Sequence, residues 1–170
     1  MSLDNTKLLD FLGEIDKELK RKIVIVAVGG TAMTLLKVKS STIDVDFTIP
    51  REYFGDFEHA KKTVQPGFKV DLFHDGAVFV NMLPEDYLKR SIPIKTKLKS
   101  IKLMALHPVD IVVTKIGRLD ERDEQDIESC IRKFKLKKDQ ITKRASQLGS
   151  AANEYAFQIN LQNTVKKFFK

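Results

Sequence analysis

GGTAMTLLKVKSSTIDVDFTI, Gly29 to Ile49, follows the apolar run IVIVAV (Ile23 to Val28) and ends in another that carries two aspartates, Asp44 and Asp46, one residue apart. The first run is rich in β-branched residues and stops at a glycine pair, which reads as a buried strand and a tight turn. Thr31 to Val38 then reads as a short helix, Lys39 to Ser41 as a loop, and Thr42 to Ile49 as a second strand closed by Pro50. Side chains at i and i+2 of a strand point the same way, about 6.5 to 7 Å apart, so Asp44 and Asp46 share one face while Ile43, Val45 and Phe47 share the other. Two like charges within a strand repel each other and lose hydration, so the pattern points to a cation between them. Hard oxygen donors in this arrangement suit Mg²⁺ or Mn²⁺, with water and substrate phosphates completing the shell. A glycine pair at a strand-to-helix turn lets backbone N–H groups approach a phosphate, and Thr31 adds a hydroxyl beside them.

Outward from this stretch, Leu8, Leu9, Leu12, Ile15 and Leu19 recur at helical spacing and predict an amphipathic helix over 5–22. A helix over about 52–64 leads through Pro66-Gly67 to FKVDLF, Phe68 to Phe73, which reads as a strand pairing in a hairpin with the AVFV run that follows Asp75-Gly76. In that strand Asp71 shares a face with Lys69 and Phe73. Ile92 to Leu98 and Ile101 to Leu106 read as lysine-studded strands near a sheet edge. After His107-Pro108 the pattern is helical to the end, with helices expected over 109–134, 139–148 and 151–169. The layout predicts an α/β core over 1–106 and a C-terminal helical segment over 107–170 packed on it as one compact unit.

The chain is 42% hydrophobic, carries a formal charge of +7 and has one cysteine, Cys130. Residues 1–88 hold 11 Lys+Arg against 14 Asp+Glu, whereas residues 89–170 hold 19 against 9. A basic half attracts phosphates, so a nucleotide or RNA partner is expected, with KFKLKK, Lys133 to Lys138, as the densest basic run. No apolar run approaches the roughly 20 residues needed to span a bilayer, and the lone cysteine excludes an internal disulfide. The expectation is a cytoplasmic protein with no membrane partner. His59, His74 and His107 lack zinc-ligand spacing with Cys130, and Tyr155, Phe157, Phe168 and Phe169 read as packing residues of terminal helices.

An apolar strand, a glycine pair, the 13 residues from Thr31 to Ile43 and then Asp-x-Asp in a strand resemble the signature of the DNA-polymerase-beta-like nucleotidyltransferase superfamily, whose two blocks lie about 9 to 13 residues apart. FKVDLF places Asp71 where that superfamily carries its third carboxylate. The resemblance implies a mixed-sheet α/β (α+β) fold flanked by helices. It implies Asp44, Asp46 and Asp71 as catalytic ligands of Mg²⁺ or Mn²⁺, and Gly29, Gly30 and Thr31 as the holders of a nucleoside triphosphate. VDIVVTKIGRLDERDEQDI, Val109 to Ile127, is similar to a helix of AbiEii-type nucleotidyltransferases, the toxin components of bacterial and archaeal defence systems, with matching positions Lys115, Arg118, Arg122, Asp123 and Asp126. That similarity implies Lys115 on a nucleotide phosphate, Asp123 or Asp126 assisting the site, and an antitoxin-like protein partner. The expected activity is metal-dependent transfer of a nucleoside monophosphate to RNA, protein or a small molecule. The alternative is a nucleotide- or RNA-binding module that keeps the fold without catalysis; convergence of Asp44, Asp46 and Asp71 on one point separates the two.

Overall fold

The computed structural model describes residues 1–170. Helix α1 (Asn5–Glu18) begins at Asp4, whose carboxylate accepts the Lys7 amide, and buries Leu8, Phe11, Leu12 and Ile15. Strand β1 (Ile23–Ala27) runs into the short helix α2 (Gly29–Leu35), which is followed by β2 (Val45–Ile49) and α3 (Arg51–Val64). Next come β3 (Val70–His74), a small hairpin of β4 (Ala77–Val78) and β5 (Asn81–Met82), a helical turn α4 (Tyr87–Arg90), β6 (Ile92–Pro93) and β7 (Ile101–Ala105). The remainder is helical: α5 (Pro108–Ile116), α6 (Glu121–Phe134), α7 (Lys138–Ala145), a 3₁₀ turn over Gly149–Asn153, and α8 (Tyr155–Phe168).

Five strands form one mixed sheet in the order β3-β2-β1-β7-β6. Strand β1 is antiparallel to β2 and parallel to β7, and β2 is parallel to β3 with Asp46 directly opposite Asp71. Strand alternation divides β2 between two layers. Phe47 meets Phe57 of α3, ring centres 5.6 Å apart, so Asp46 looks out on the opposite side. There α2 lies against β1, β2 and β7, and α5 packs on α2. Surrounded by α2, α6, α7 and α8, all nine residues of α5 are buried, the polar Asp110, Thr114 and Lys115 among them. Its one buried acid, Asp110, is held by Arg144 of α7 at 2.6 and 3.1 Å, and Arg144 also reaches Asp86 at 2.9 Å. One hydrophobic cluster includes residues from Leu3 to Phe157 and so draws on both halves of the chain. No helix is long and apolar enough to cross a membrane.

The α/β architecture follows the sequence, and several elements differ from expectation. The helix over 109–134 is two helices. Leu119 takes a left-handed backbone (φ 38°), and Asp120 starts α6 with a capping box in which its side chain accepts the Asp123 amide. The strand over 92–98 shrinks to Ile92–Pro93, after which the Ile94 amide still bonds to the Leu103 carbonyl at 2.9 Å; just beyond, the amides of Lys99, Ser100 and Ile101 bond to the Asp16 carboxylate of α1 at 2.7 to 3.0 Å. Strand β7 is interior, between β1 and β6, rather than at an edge. The β3–AVFV hairpin does not form: β3 joins the main sheet beside β2, and β4 pairs with β5 across Phe79 and Val80. The last helix starts at Tyr155, which is exposed, while Phe157 is buried.

Candidate active site

The two aspartates of the Asp-x-Asp pair part company at the start of β2. That strand begins at Val45, so Asp44 sits in a bend just before it and is exposed, whereas Asp46 is 4% exposed. Ile43, expected to share a strand face with Val45 and Phe47, is exposed for the same reason. The bend is shaped by two threonines: Thr42 Oγ1 donates to the Asp44 carbonyl at 2.8 Å, and Thr31 Oγ1 donates to the same carbonyl at 3.2 Å while accepting the Asp46 amide at 3.0 Å. Thr31 is therefore committed to the loop and buried, not turned toward a phosphate as the sequence suggested. Gly30 borders the cavity, and a Cβ there would stand 2.7 Å from Thr42 Oγ1. Gly29 opens α2 with φ +53°, a left-handed backbone that glycine adopts without penalty. A Cβ there would sit in ordinary contact with the Phe79 ring at 3.5 Å and Asp46 Oδ2 at 3.7 Å, so it is the backbone conformation that calls for glycine.

Asp44, Asp46 and Asp71 line one cavity of about 580 Å³ together with Lys39, Lys69, Lys115, Arg118, Arg122 and Asp126. Burial is the largest influence on Asp46, and the Asp71 and Asp44 carboxylates add to it, so its carboxyl is pushed up to about 7 against the pull of Arg118 and Lys69. Asp46 Oδ1 is buried and has no hydrogen-bond partner in the protein. A buried carboxylate oxygen without a donor is costly, and the residue that carries it lines the cavity together with two more carboxylates, Asp44 and Asp71. Those donors fit a hard divalent ion. No three acidic, His or Cys side chains are gathered closely enough to hold a metal on their own, and Lys69 Nζ stands 3.1 Å from Asp71. A divalent ion here would draw part of its shell from water and nucleotide phosphates.

The cationic wall is built at the corner between α5 and α6. Lys115, at the end of α5 and 3% exposed, lies 3.1 Å from Asp123 and 2.9 Å from Asp126. Arg118 grips Asp123 with Nε and Nη2, each at 2.8 Å, and Lys39 approaches Asp126 at 3.2 Å. Burial alone would raise the Asp123 carboxyl, but the hydrogen bond from Arg118 and the charge and hydrogen bond of Lys115 hold it at about 2. The positions expected on one helix thus meet across a bend between two. Sequence reasoning missed Lys39, Lys69 and Phe79 as cavity residues. For Phe79 the only signal was its place in a two-residue turn; Lys39 meets Asp126 through tertiary folding alone. The histidines lie elsewhere in structural roles: His74 stacks on Phe54 and His107 Nδ1 accepts the Val109 amide. Cys130 is buried in α6, where burial pushes its thiol up to about 12. In the basic run, Lys133 donates to the Lys37 carbonyl at 2.6 Å and the other lysines are exposed.

The sequence model of a family described as "Nucleotidyltransferase of unknown function (DUF6036)" matches residues 6–169. No curated protein and no solved structure matches the chain.

Proposed function

Because the chain belongs to the DUF6036 family of nucleotidyltransferases of unknown function, we propose that it transfers a nucleoside monophosphate from a nucleoside triphosphate to an acceptor hydroxyl at the Asp44–Asp46–Asp71 cavity, with Mg²⁺ or Mn²⁺ as cofactor. The observation that carries this reading is the bare, buried oxygen of Asp46, a residue paired opposite Asp71 on a cavity that gathers carboxylates together with Lys115, Arg118 and Arg122. Asp46 and Asp44, with Asp71, would hold the divalent ion, which supplies charge neutralisation for the transferring phosphate. Gly30 lets the backbone at the start of α2 come close to the triphosphate, while Thr31 and Thr42 fix the bend that carries Asp44. Lys115, held by Asp123 and Asp126, lends positive charge to the wall that the phosphates meet. Asp71 takes the proton of the acceptor hydroxyl; the acceptor oxygen bonds to the α-phosphorus as the bond to the β-phosphate oxygen breaks and pyrophosphate leaves.

Incubation with each of four labelled nucleoside triphosphates, Mg²⁺ or Mn²⁺, and total cellular RNA and protein tests this. The intact protein is expected to transfer label, and Asp46→Asn to lose it by roughly 100-fold or more; undiminished transfer by Asp46→Asn would overturn the assignment. The AbiEii-type resemblance around Lys115 extends the proposal to a toxin whose acceptor is RNA, met by the basic C-terminal half. Label recovered in RNA supports that extension, and label confined to protein or small molecules overturns it. One observation favours a second reading, a non-catalytic nucleotide-binding module: the three carboxylates do not close into a ready-made metal site, and Lys69 is paired with Asp71. Nucleotide binding without transfer by the intact protein is its signature.

A further inference from the structure

Two side chains of the cavity wall, Arg118 and Phe79, have no part in the metal or phosphate roles above. Asp123 occupies one edge of the Arg118 guanidinium through Nε and Nη2. The central guanidinium carbon lies over the Phe79 ring, 4.4 Å from its centre. Two of the five N–H donors of Arg118 are thereby taken, which fixes the plane of the guanidinium, and its flat face stacks well. The Arg118 side chain is 44% exposed, with Phe79 against one face and both residues on the cavity wall.

Phe79 is itself held against its backbone preference. It has φ 54° in the two-residue turn between β4 and β5, a conformation that favours glycine and strains a bulky residue. The ring is fixed edge-on to Phe73, centres 5.5 Å apart, and lies beside Gly29 at the start of α2. The Phe73 contact and the clamped arginine together keep one flat surface in a cavity whose only other apolar lining residue is Ile43.

We propose that Phe79 and Arg118 form the nucleobase platform of this site: the base of the nucleoside triphosphate lies on the face of Arg118 turned away from Phe79, and the exposed Ile43 side chain supplies the cavity's other apolar contact. The proposal rests on the nucleotidyltransferase reading and names how that site holds its substrate. Stacking uses the π-face that every base has, so the platform accepts purine and pyrimidine triphosphates alike, without strong preference.

Calorimetric titration of ATP, UTP and inorganic tripolyphosphate, each with Mg²⁺, separates the platform from a phosphate contact. Phe79→Leu and Arg118→Lys are expected to weaken ATP and UTP binding by roughly 10-fold while tripolyphosphate binds as it does to the parent protein. Phe79→Tyr, which keeps the ring, is expected to bind like the parent. Phe79→Gly relieves the turn, so it provides the same comparison if Phe79→Leu fails to fold. Equal losses for nucleotides and tripolyphosphate would make Arg118 a phosphate ligand and overturn the platform, as would unchanged nucleotide affinity in the folded variants. If the parent protein binds neither nucleotide nor tripolyphosphate, the nucleotidyltransferase reading itself fails and takes the platform with it.

Discussion

At the residue scale, burial first, then the Asp71 and Asp44 carboxylates, raises the Asp46 carboxyl from the ordinary 3.8 to about 7. An unfolded aspartate loses its proton near about 3.9, so between about pH 4 and 7 the unfolded chain sheds a proton that the folded chain keeps. Stability from this residue therefore falls as pH rises through that window, to a deficit of roughly 2–4 kcal/mol above it. In metal-free buffer, Asp46→Asn is expected to unfold at higher urea than the parent protein at pH 8 and to converge with it near pH 4. Matching midpoints at pH 8 would mean that the charged carboxylate carries no such penalty. The acidic lining of the cavity was partly legible: the strand readings place Asp46 and Asp71, whereas Asp44 reaches the cavity from the bend before β2 and not through a period of two. The fate of Thr31 was not: a hydroxyl beside a glycine pair reads equally well as a phosphate contact or as a loop anchor, and only the approach of β2 to α2 decides it.

At the element scale, the corner between α5 and α6 gathers Lys115, Arg118, Asp123 and Asp126. Removing one member of a buried ion group leaves its partners desolvated and underpaired. Lys115→Met is expected to lower stability by roughly 3 kcal/mol, whereas Arg132→Ala, which breaks an exposed pair with Glu128, changes it by no more than about 0.5 kcal/mol. Urea denaturation of the two variants at pH 7 checks this, and a Lys115→Met protein as stable as its parent would remove the corner from the account of the fold. The break itself had a sequence signal, since Asp120 and Asp123 stand three apart as an N-cap and its reciprocal partner do. Helical periodicity runs through the break and masks it. Strands were harder to read than helices: Ile92 to Leu98 alternates as a strand should, yet its pairing with β7 covers only Ile92 and Pro93, with one more bond from the Ile94 amide.

At the scale of the whole molecule, the core divides less neatly than the sequence does. Helix α5 covers α2, and α2 covers the central strands, so a fragment of residues 1–106 would expose the face on which α5 packs. Such a fragment is expected to bind a hydrophobic dye and to melt without a cooperative transition; a sharp two-state transition from 1–106 would show that the α/β half is independent. The mixed sheet carries a further consequence. Strand β1 pairs in parallel with β7, from Ile23 opposite Ile101 to Ala27 opposite Ala105, and a parallel pair needs a crossover rather than a hairpin. During synthesis β1 can join β2 early, but its other edge stays open until residue 105 has left the ribosome. For that interval the nascent chain shows an unpaired β-branched strand, a template for wrong partners, and the time between translation of β1 and β7 becomes the period in which a chaperone would matter most.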